Sequence, residues 1–507
     1  MPTDRSKLAS FEKSEAFRPN CESYELLPFR YTRLPALPGQ VLVTSAVGEY
    51  IFLNEYEFRK LTSHELRPES ELYRNLRTRQ IVCDAERGPF LRGISAQHRS
   101  RKSFAHEDPS LHIFVLTLRC DHRCHYCQVT PRRPFERGFD MDDETADAAL
   151  DRVFESDEVA LTIEFQGGES ALAFSRMRRI VEQAARRANK SAKRVRFVMA
   201  TTLHLMTKEM LTFCKEYGIE LSTSLDGPEQ VHNMNRPNST RDSFKRTLEG
   251  IERARLICGP DSVEALATIT RHSLAYPREI VDTYMKLRFS SISLRPVSPF
   301  GFAVRSQRKT GFTTGEYLKF YKEALDHLIE VNLQGRMIEE SYATIILTRI
   351  LTPFPTTYTD LQSPAAAGRN VLVYNYDGGV YVSDEGRMLA EMGDNRFRMG
   401  SVHDRLELLK KSKARKIIEN AGDAETLPVC SECAFVPYCG ADPVLNVATH
   451  GDPIGHRPTS EFCHRHTGLF RIFFGFLAAR DPDVLRVFLS WMARRNASEL
   501  PAAGYMA

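Results

Sequence analysis

Ile113 to Cys127 read IFVLTLRCDHRCHYC. The opening IFVLTL is a short apolar run rich in β-formers and predicts a strand, so the three cysteines behind it fall on a loop just past a strand's carboxyl end. Downstream the pattern alternates. In DMDDETADAALDRVFES, Asp142 or Asp143 can cap a helix whose one face carries Ala146, Ala149, Leu150, Val153 and Phe154. A strand at 160–165 (ALTIEF) follows, then a helix near 172–188, a strand at 194–200, a helix at 207–217 closed by Gly218 and a strand at 219–225. A helix near 242–256, a strand at 263–269, a helix opening at Pro277 and a strand at 291–295 complete the series. Six strands alternating with helices through right-handed crossovers predict a parallel α/β sheet, either doubly wound or curled as an incomplete barrel. In both arrangements chemistry gathers at the carboxyl ends of the strands. The cysteine loop, the loop at Gly167–Glu169 and the SLDG loop from Ser224 all fall there.

The flanks differ. Before residue 110, ELLPFRYTRL, QVLVTSA and GEYIFL read as short strands followed by helical patterns near 54–63 and 69–77, a separate small α+β unit. After residue 310 come two helical stretches and then NVLVYNY and GGVYVS around a turn at Asp377 to Gly379. The expected domains are therefore 1–110, 111–310 and 311–507. At 507 residues, with 42% hydrophobic and 26% charged residues, the chain has ordinary globular composition. Its formal net charge of +4 is too small and dispersed to indicate a nucleic-acid partner. No apolar run follows the opening MPTDRSKLAS, and GLFRIFFGFLAA from Gly468 contains Arg471 and is too short to span a bilayer, so no membrane association and a cytoplasmic location are expected. Eleven cysteines in that setting point to metal ligation or catalysis rather than to disulfides. Cys21, Cys83, Cys214 and Cys258 are scattered and read as small apolar fillers.

CDHRCHYC has the spacing CxxxCxxC and supplies three thiolates, one fewer than a cubane iron-sulfur cluster needs for complete ligation. A zinc loop completed by His122 or His125 has the same donors at hand. With Tyr126 before the third cysteine and FQGGES after the second strand, the chain resembles the radical SAM superfamily. That resemblance implies a partial (β/α)6 TIM-like barrel in which Cys120, Cys124 and Cys127 hold a 4Fe-4S cluster. The open iron of such a cluster chelates S-adenosyl-L-methionine, and its reductive cleavage yields a 5′-deoxyadenosyl radical. It further implies Tyr126, Gly167, Gly168 and Glu169 as cofactor contacts, with Glu169 accepting from the methionyl ammonium. STSLDGPEQVHNMNR resembles the SLDGPxxxHxxxR stretch of radical SAM enzymes that act on peptides, which puts Ser224 and Asp226 toward cofactor or substrate and makes Asp226 the candidate catalytic residue. A Gly-Pro turn capping a strand is the plainer reading. Where relatives place an Asn after the third strand, this chain has Thr202.

CSECAFVPYC and Cys463, 24 residues beyond Cys439, bring four more thiols into play, enough to close a site. They resemble the SPASM extension of peptide-modifying radical SAM enzymes, with departures: Pro443, Ser383 and Ala365 stand where that family places ligands of a first auxiliary cluster. The resemblance implies one auxiliary 4Fe-4S cluster on Cys430, Cys433, Cys439 and Cys463, hence two 4Fe-4S clusters in all, the second serving electron transfer or support. Structural zinc is the rival for that site.

LLPFRYTRL, VGEYIFL, LTLRCDHRCHYCQVT, FQGGES and LRPVSPFGFA resemble a narrower group, the radical SAM maturases of the His-Xaa-Ser peptide system, over a span from about residue 25 to the late cysteines. This implies crosslinking or oxidation of a ribosomally made precursor peptide, an external electron donor and a second radical SAM protein as partners. The amino-terminal unit then reads as a leader-recognition module working by strand addition, or as a lid or packing domain. A non-catalytic iron-sulfur adaptor and an RNA-modifying enzyme are the other function classes. The basic run RRIVEQAARRANKSAKR at 178–194, which an RNA reading would use, falls on a predicted outer helix.

Overall fold

The strand Leu111–Thr117 pairs in parallel with Ala160–Gly167, and the sheet continues through Arg194–Ala200, Glu220–Ser224, Val263–Ile269 and Leu294–Pro296. This is a computed structural model, and it describes residues 23–84, 86–356 and 361–499. Cys21 lies outside them. Phe114 sits beside Phe165, Phe165 beside Met199 and Met199 beside Leu221, so one face of the sheet is a continuous apolar layer. The helices Asp143–Glu155, Phe174–Ser191, Lys208–Glu216, Ser243–Cys258 and Pro277–Lys286 bring their buried side chains to that layer. Along Ala160–Gly167, Leu161, Ile163 and Phe165 are buried while Thr162, Glu164 and Gln166 alternate on the less buried side. Glu220 and Ser224 repeat that pattern on the fourth strand. A doubly wound sheet would bury both faces in apolar residues. The polar inner face instead fits a sheet curled as a partial barrel with helices outside.

Two features depart from the sequence expectation. The strand expected at 291–295 is split: Ser291–Ile292 pairs with Glu339–Glu340, and Leu294–Pro296 alone continues the barrel. The hairpin around Asp377 is not confined to the carboxy-terminal segment. Its first strand, Val371–Tyr374, pairs in parallel with Leu111–Thr117, and Gly379–Tyr381 and Arg398–Ser401 extend the sheet to nine strands. The reason is hydrogen-bond satisfaction: without that addition the strand that carries the cysteine loop would present a bare edge.

In the amino-terminal unit Phe29–Arg33, Gln40–Ser45 and Tyr50–Asn54 form an antiparallel sheet, and Asn54 with Glu57 makes a capping box that starts the helix Glu55–Thr62. The helix Glu71–Thr78 was expected; Arg87–Arg101 was not, because its apolar periodicity is weak. The unit packs on the late cysteine segment. Tyr50 and Phe52 meet Phe474 at ring-centroid distances of 5.2 and 6.2 Å, Thr44 Oγ1 donates to the Ala434 carbonyl at 2.9 Å, and the Tyr438 hydroxyl donates to the Gly48 carbonyl at 2.9 Å. Phe474 belongs to the helix Glu461–Ala479, the apolar GLFRIFFGFLAA stretch, whose Leu469, Phe470, Phe473 and Leu477 are buried. Among the described residues no helix is long and apolar enough to cross a membrane.

Phe474→Ala removes the ring that both units share. The expected loss is about 3–5 kcal/mol in stability, read by chemical denaturation, with residues 23–110 becoming a preferred target in limited proteolysis.

Candidate active site

The cysteine loop is held from three sides by backbone hydrogen bonds. The Cys120 amide donates to the Arg132 carbonyl at 2.9 Å, the Arg123 amide to Pro237 at 3.0 Å and the His125 amide to Asn235 at 2.9 Å. The helix Phe302–Thr310 closes over the far end, with the Ala303 amide donating to the Cys127 carbonyl at 2.9 Å and the Ser306 hydroxyl to the His125 carbonyl. Gly301 permits this contact: its φ is +55°, and a Cβ there would lie 1.8 Å from the Gln128 carbonyl oxygen. Cys124 is buried and Cys120 and Cys127 nearly so, all as free thiols. Burial, and after it the neighbouring Cys124, pushes the Cys127 thiol up to about 12, and burial likewise raises Cys120 and Cys124. Such thiols surrender their protons to a metal rather than to water.

The Gly167–Glu169 loop locks onto this one. The Gly168 amide donates to the Thr117 carbonyl at 2.7 Å and the Glu169 amide to Arg119 at 2.8 Å. A Cβ on Gly168 would lie 2.1 Å from the Arg119 carbonyl oxygen, so the glycine is required by the cysteine loop's own backbone. The buried Glu169 carboxylate accepts from Thr201 Oγ1 at 2.6 Å, from the Thr202 amide at 2.6 Å and from the Ala171 amide at 3.0 Å. Thr202 therefore holds Glu169 through its backbone, a task that needs no asparagine.

Asp226 lies at the end of the fourth strand, beyond the half-buried Ser224. Its Oδ1 accepts from the Tyr126 hydroxyl at 3.0 Å and from the Thr268 amide at 3.2 Å, while Arg236 Nη1 donates to the same tyrosine oxygen at 2.7 Å. Burial raises the Asp226 carboxyl from 3.8 to about 6 against the pull of Arg236. The Asn235 side chain faces the Asp226 carboxyl, and Arg236 Nε is buried without a hydrogen-bond partner, which is costly unless a polar ligand completes it. Asn235 and Arg236 end the HNMNR stretch; their roles were not legible because nothing in the spacing brings them back to Tyr126. The cysteine loop borders a cleft of about 1170 Å³ lined by Cys120, Cys124, Arg123, Phe135, Phe302 and Arg305 among others.

The late cysteines also converge. Cys430 starts a short turn, the Cys433 amide donates back to the Cys430 carbonyl at 3.0 Å, the Cys439 amide to Phe435 at 3.0 Å, and Cys463 stands in the first turn of Glu461–Ala479. Each of the other three feels the Cys463 thiol electrostatically, and the Arg457 guanidinium lies against Cys430. Ser383 caps the helix Asp384–Glu391, Pro443 opens Pro443–His450, and Ala365 is buried, so the three positions without cysteine have become structural. The His122 ring is engaged on both nitrogens, Nε2 lying 3.0 Å from Ser243 Oγ and Nδ1 2.9 Å from Asp121 Oδ1. Between the barrel and the Cys463 helix lies a cavity of about 290 Å³ that Val297, Phe312, Tyr317, Leu445, Phe462 and Arg465 help to line.

Residues 114–269 match the radical SAM superfamily, and this part of the chain is a radical SAM domain. The cysteine-type anaerobic sulfatase-maturating enzyme of Clostridium perfringens is 22% identical over 344 residues, 65% of this chain and 87% of that one. A structure of native anSMEcpe with bound AdoMet superposes with a TM-score of 0.61 at 17% identity, covering 75% of this chain and 99% of the other. Streptococcus suis SuiB bound to precursor peptide SuiA gives a TM-score of 0.50 at 12% identity, covering 86% and 98%. These likenesses bear out the partial-barrel fold.

Two outcomes follow for this site. Gly168→Ala drives a methyl group into the Arg119 carbonyl and should lower iron retained per chain after anaerobic reconstitution. Asp226 binds its proton more tightly folded than unfolded, so its stabilising contribution is complete below about 3.8 and is lost as pH rises through about 6. Relative to Asp226→Asn, the cluster-free protein should lose up to about 3 kcal/mol across that interval, measured by denaturation at stepped pH.

Proposed function

We propose that this chain is a radical SAM maturase that takes a hydrogen atom from a side chain of a ribosomally made precursor peptide of the His-Xaa-Ser type, leaving a crosslink or an oxidised residue. The observation that carries the reading is a trio of thiols, Cys124 buried and Cys120 and Cys127 nearly so, on a loop at the carboxyl end of a barrel strand, beside the buried network of Tyr126, Asp226 and Arg236. The donor set suits a 4Fe-4S cluster with one iron free, held by Cys120, Cys124 and Cys127. Together with S-adenosyl-L-methionine, that cluster supplies one-electron cleavage of a carbon-sulfur bond and the 5′-deoxyadenosyl radical. Tyr126 is fixed by Asp226 and Arg236, so its ring presents one orientation to the cofactor. Gly167 and Gly168 offer backbone, and Glu169 acts by stiffening their loop through Thr201 and Thr202. In this reading Asp226 and Ser224 orient cofactor or peptide, and burial, which raises the Asp226 carboxyl to about 6, lets it hold or release a proton near neutral pH.

Cys430, Cys433, Cys439 and Cys463 would carry the second 4Fe-4S cluster, fully ligated and so without a substrate position. The cavity beside its helix is where a peptide strand entering the barrel would pass. A peptide substrate is supported by the relatives whose structures include one. The basic helix Phe174–Ser191 speaks against RNA, since Arg178, Arg179 and Arg187 are paired with Glu182, Asp147 and Asp151.

Cys124→Ala should abolish 5′-deoxyadenosine formation with chemical reductant while iron and sulfide at the late cysteines persist; retained cleavage would reject the assignment. Co-expression with a His-Xaa-Ser precursor should yield peptide lighter by whole hydrogen masses. Cofactor cleavage with unmodified peptide would move the substrate elsewhere, and neither activity would leave an adaptor.

A further inference from the structure

Asp121, His122 and His204 lie together although Asp121 and His122 belong to the cysteine loop and His204 to the loop after the third strand. His122 Nδ1 is 2.9 Å from Asp121 Oδ1, His204 Nδ1 is 3.8 Å from Asp121 Oδ2, and the three ligand atoms all fall within 4.8 Å of one another. Among the described residues this is the single group of such side chains to converge so closely.

The far nitrogens explain the arrangement. His122 Nε2 lies 3.0 Å from Ser243 Oγ, and His204 Nε2 lies 3.0 Å from Thr247 Oγ1, one turn further along the helix Ser243–Cys258. Anchoring both Nε2 atoms on one helix aims both Nδ1 atoms at the Asp121 carboxylate. That is how metal-bound histidines are commonly oriented, one ring nitrogen on the ion and the other on a fixed oxygen. Pairing with Asp121 accounts for His122, but His204 Nδ1 has no hydrogen-bond partner although its side chain is 0% exposed. A ring nitrogen so buried is expensive to leave open. His232, the third imidazole nearby, has its nitrogens engaged by Ser243 Oγ at 3.1 Å and the Asp226 amide at 3.4 Å.

We propose that Asp121, His122 and His204 bind a divalent cation of the zinc class at a site that adjoins the cysteine loop, where Asp121 Oδ1 lies 3.9 Å from the Cys120 sulfur, but that uses none of the thiols. Two imidazoles and a carboxylate around zinc stand roughly 3.3 Å apart, and the three ligand atoms here already lie within 4.8 Å of one another. Asp121 and His122 line the cleft beside the cysteine loop, so a water molecule can complete the shell. The ion would tie the cysteine loop to the loop after the third strand, and it does so whichever substrate the enzyme takes.

The test is zinc titration of the anaerobically reconstituted full-length protein, with zinc-edge X-ray absorption to identify the donors. Wild type should hold one zinc with nitrogen and oxygen donors only, and His204→Ala should lose it. Thr247→Val should weaken binding about 10–100-fold by freeing the His204 ring. His204→Cys should restore binding with a single sulfur in the shell, and it decides the matter should the alanine variant misfold. Zinc found solely on sulfur in wild type would overturn the proposal. So would nitrogen-bound zinc unchanged in His204→Ala, or a His204→Cys protein whose zinc carries no sulfur.

Discussion

Two amides, those of Gly168 and Glu169, donate to the carbonyls of Thr117 and Arg119 and seat the cysteine loop against the next strand. The distances leave no room for a side chain at Gly168, so the contact is made by backbone alone and has little freedom to shift. The position of each thiol, and of Tyr126 between them, follows from that seat. Glu169 secures it from behind by fastening the same loop to Thr201 and Thr202, which extends the lock over three adjacent strand ends. Parallel strands ending on one rim give the shortest route to that rigidity.

Much of this was legible in the sequence. The strands at 160–165, 194–200 and 263–269 are marked by short β-forming runs between helical patterns, and all three form at or within two residues of the expected bounds. Pro277 opens a helix because its fixed φ suits the first turn, and Asp142 caps one by accepting from the Thr145 amide. What could not be read is whatever depends on pairing across long separations. Nothing in NVLVYNY says that it will lie beside Leu111–Thr117 rather than form a free-standing hairpin. In the same way Asp121 and His204 are unremarkable alone, and only the curl of the sheet brings them together. Glu169 shows a third limit: nothing in the sequence said that the Thr201 hydroxyl and the Thr202 amide, from the neighbouring loop, would reach its carboxylate.

The amino-terminal unit has a plain physical role. Its sheet meets the late cysteine segment through Thr44, Gly48, Tyr50 and Phe52, and Arg30 donates to the Ser431 carbonyl within the cysteine turn itself. The short turns around Cys430 and Cys439 have little regular structure of their own to hold them. They are shaped instead by what packs on either side, the amino-terminal sheet and the helix Glu461–Ala479. Any capture of peptide by this unit has to use an edge of its three-stranded sheet, Phe29–Arg33 or Tyr50–Asn54, without disturbing that brace.

The insertion of Val371–Tyr374 next to Leu111–Thr117 has a temporal side. Leu111 finds its neighbour Val371 only after the ribosome has made the whole intervening chain, which at about 5–20 residues per second takes on the order of tens of seconds. Throughout that interval the nascent chain displays an unzipped β-edge and oxidisable thiols side by side, and the edge closes only when the late strand arrives.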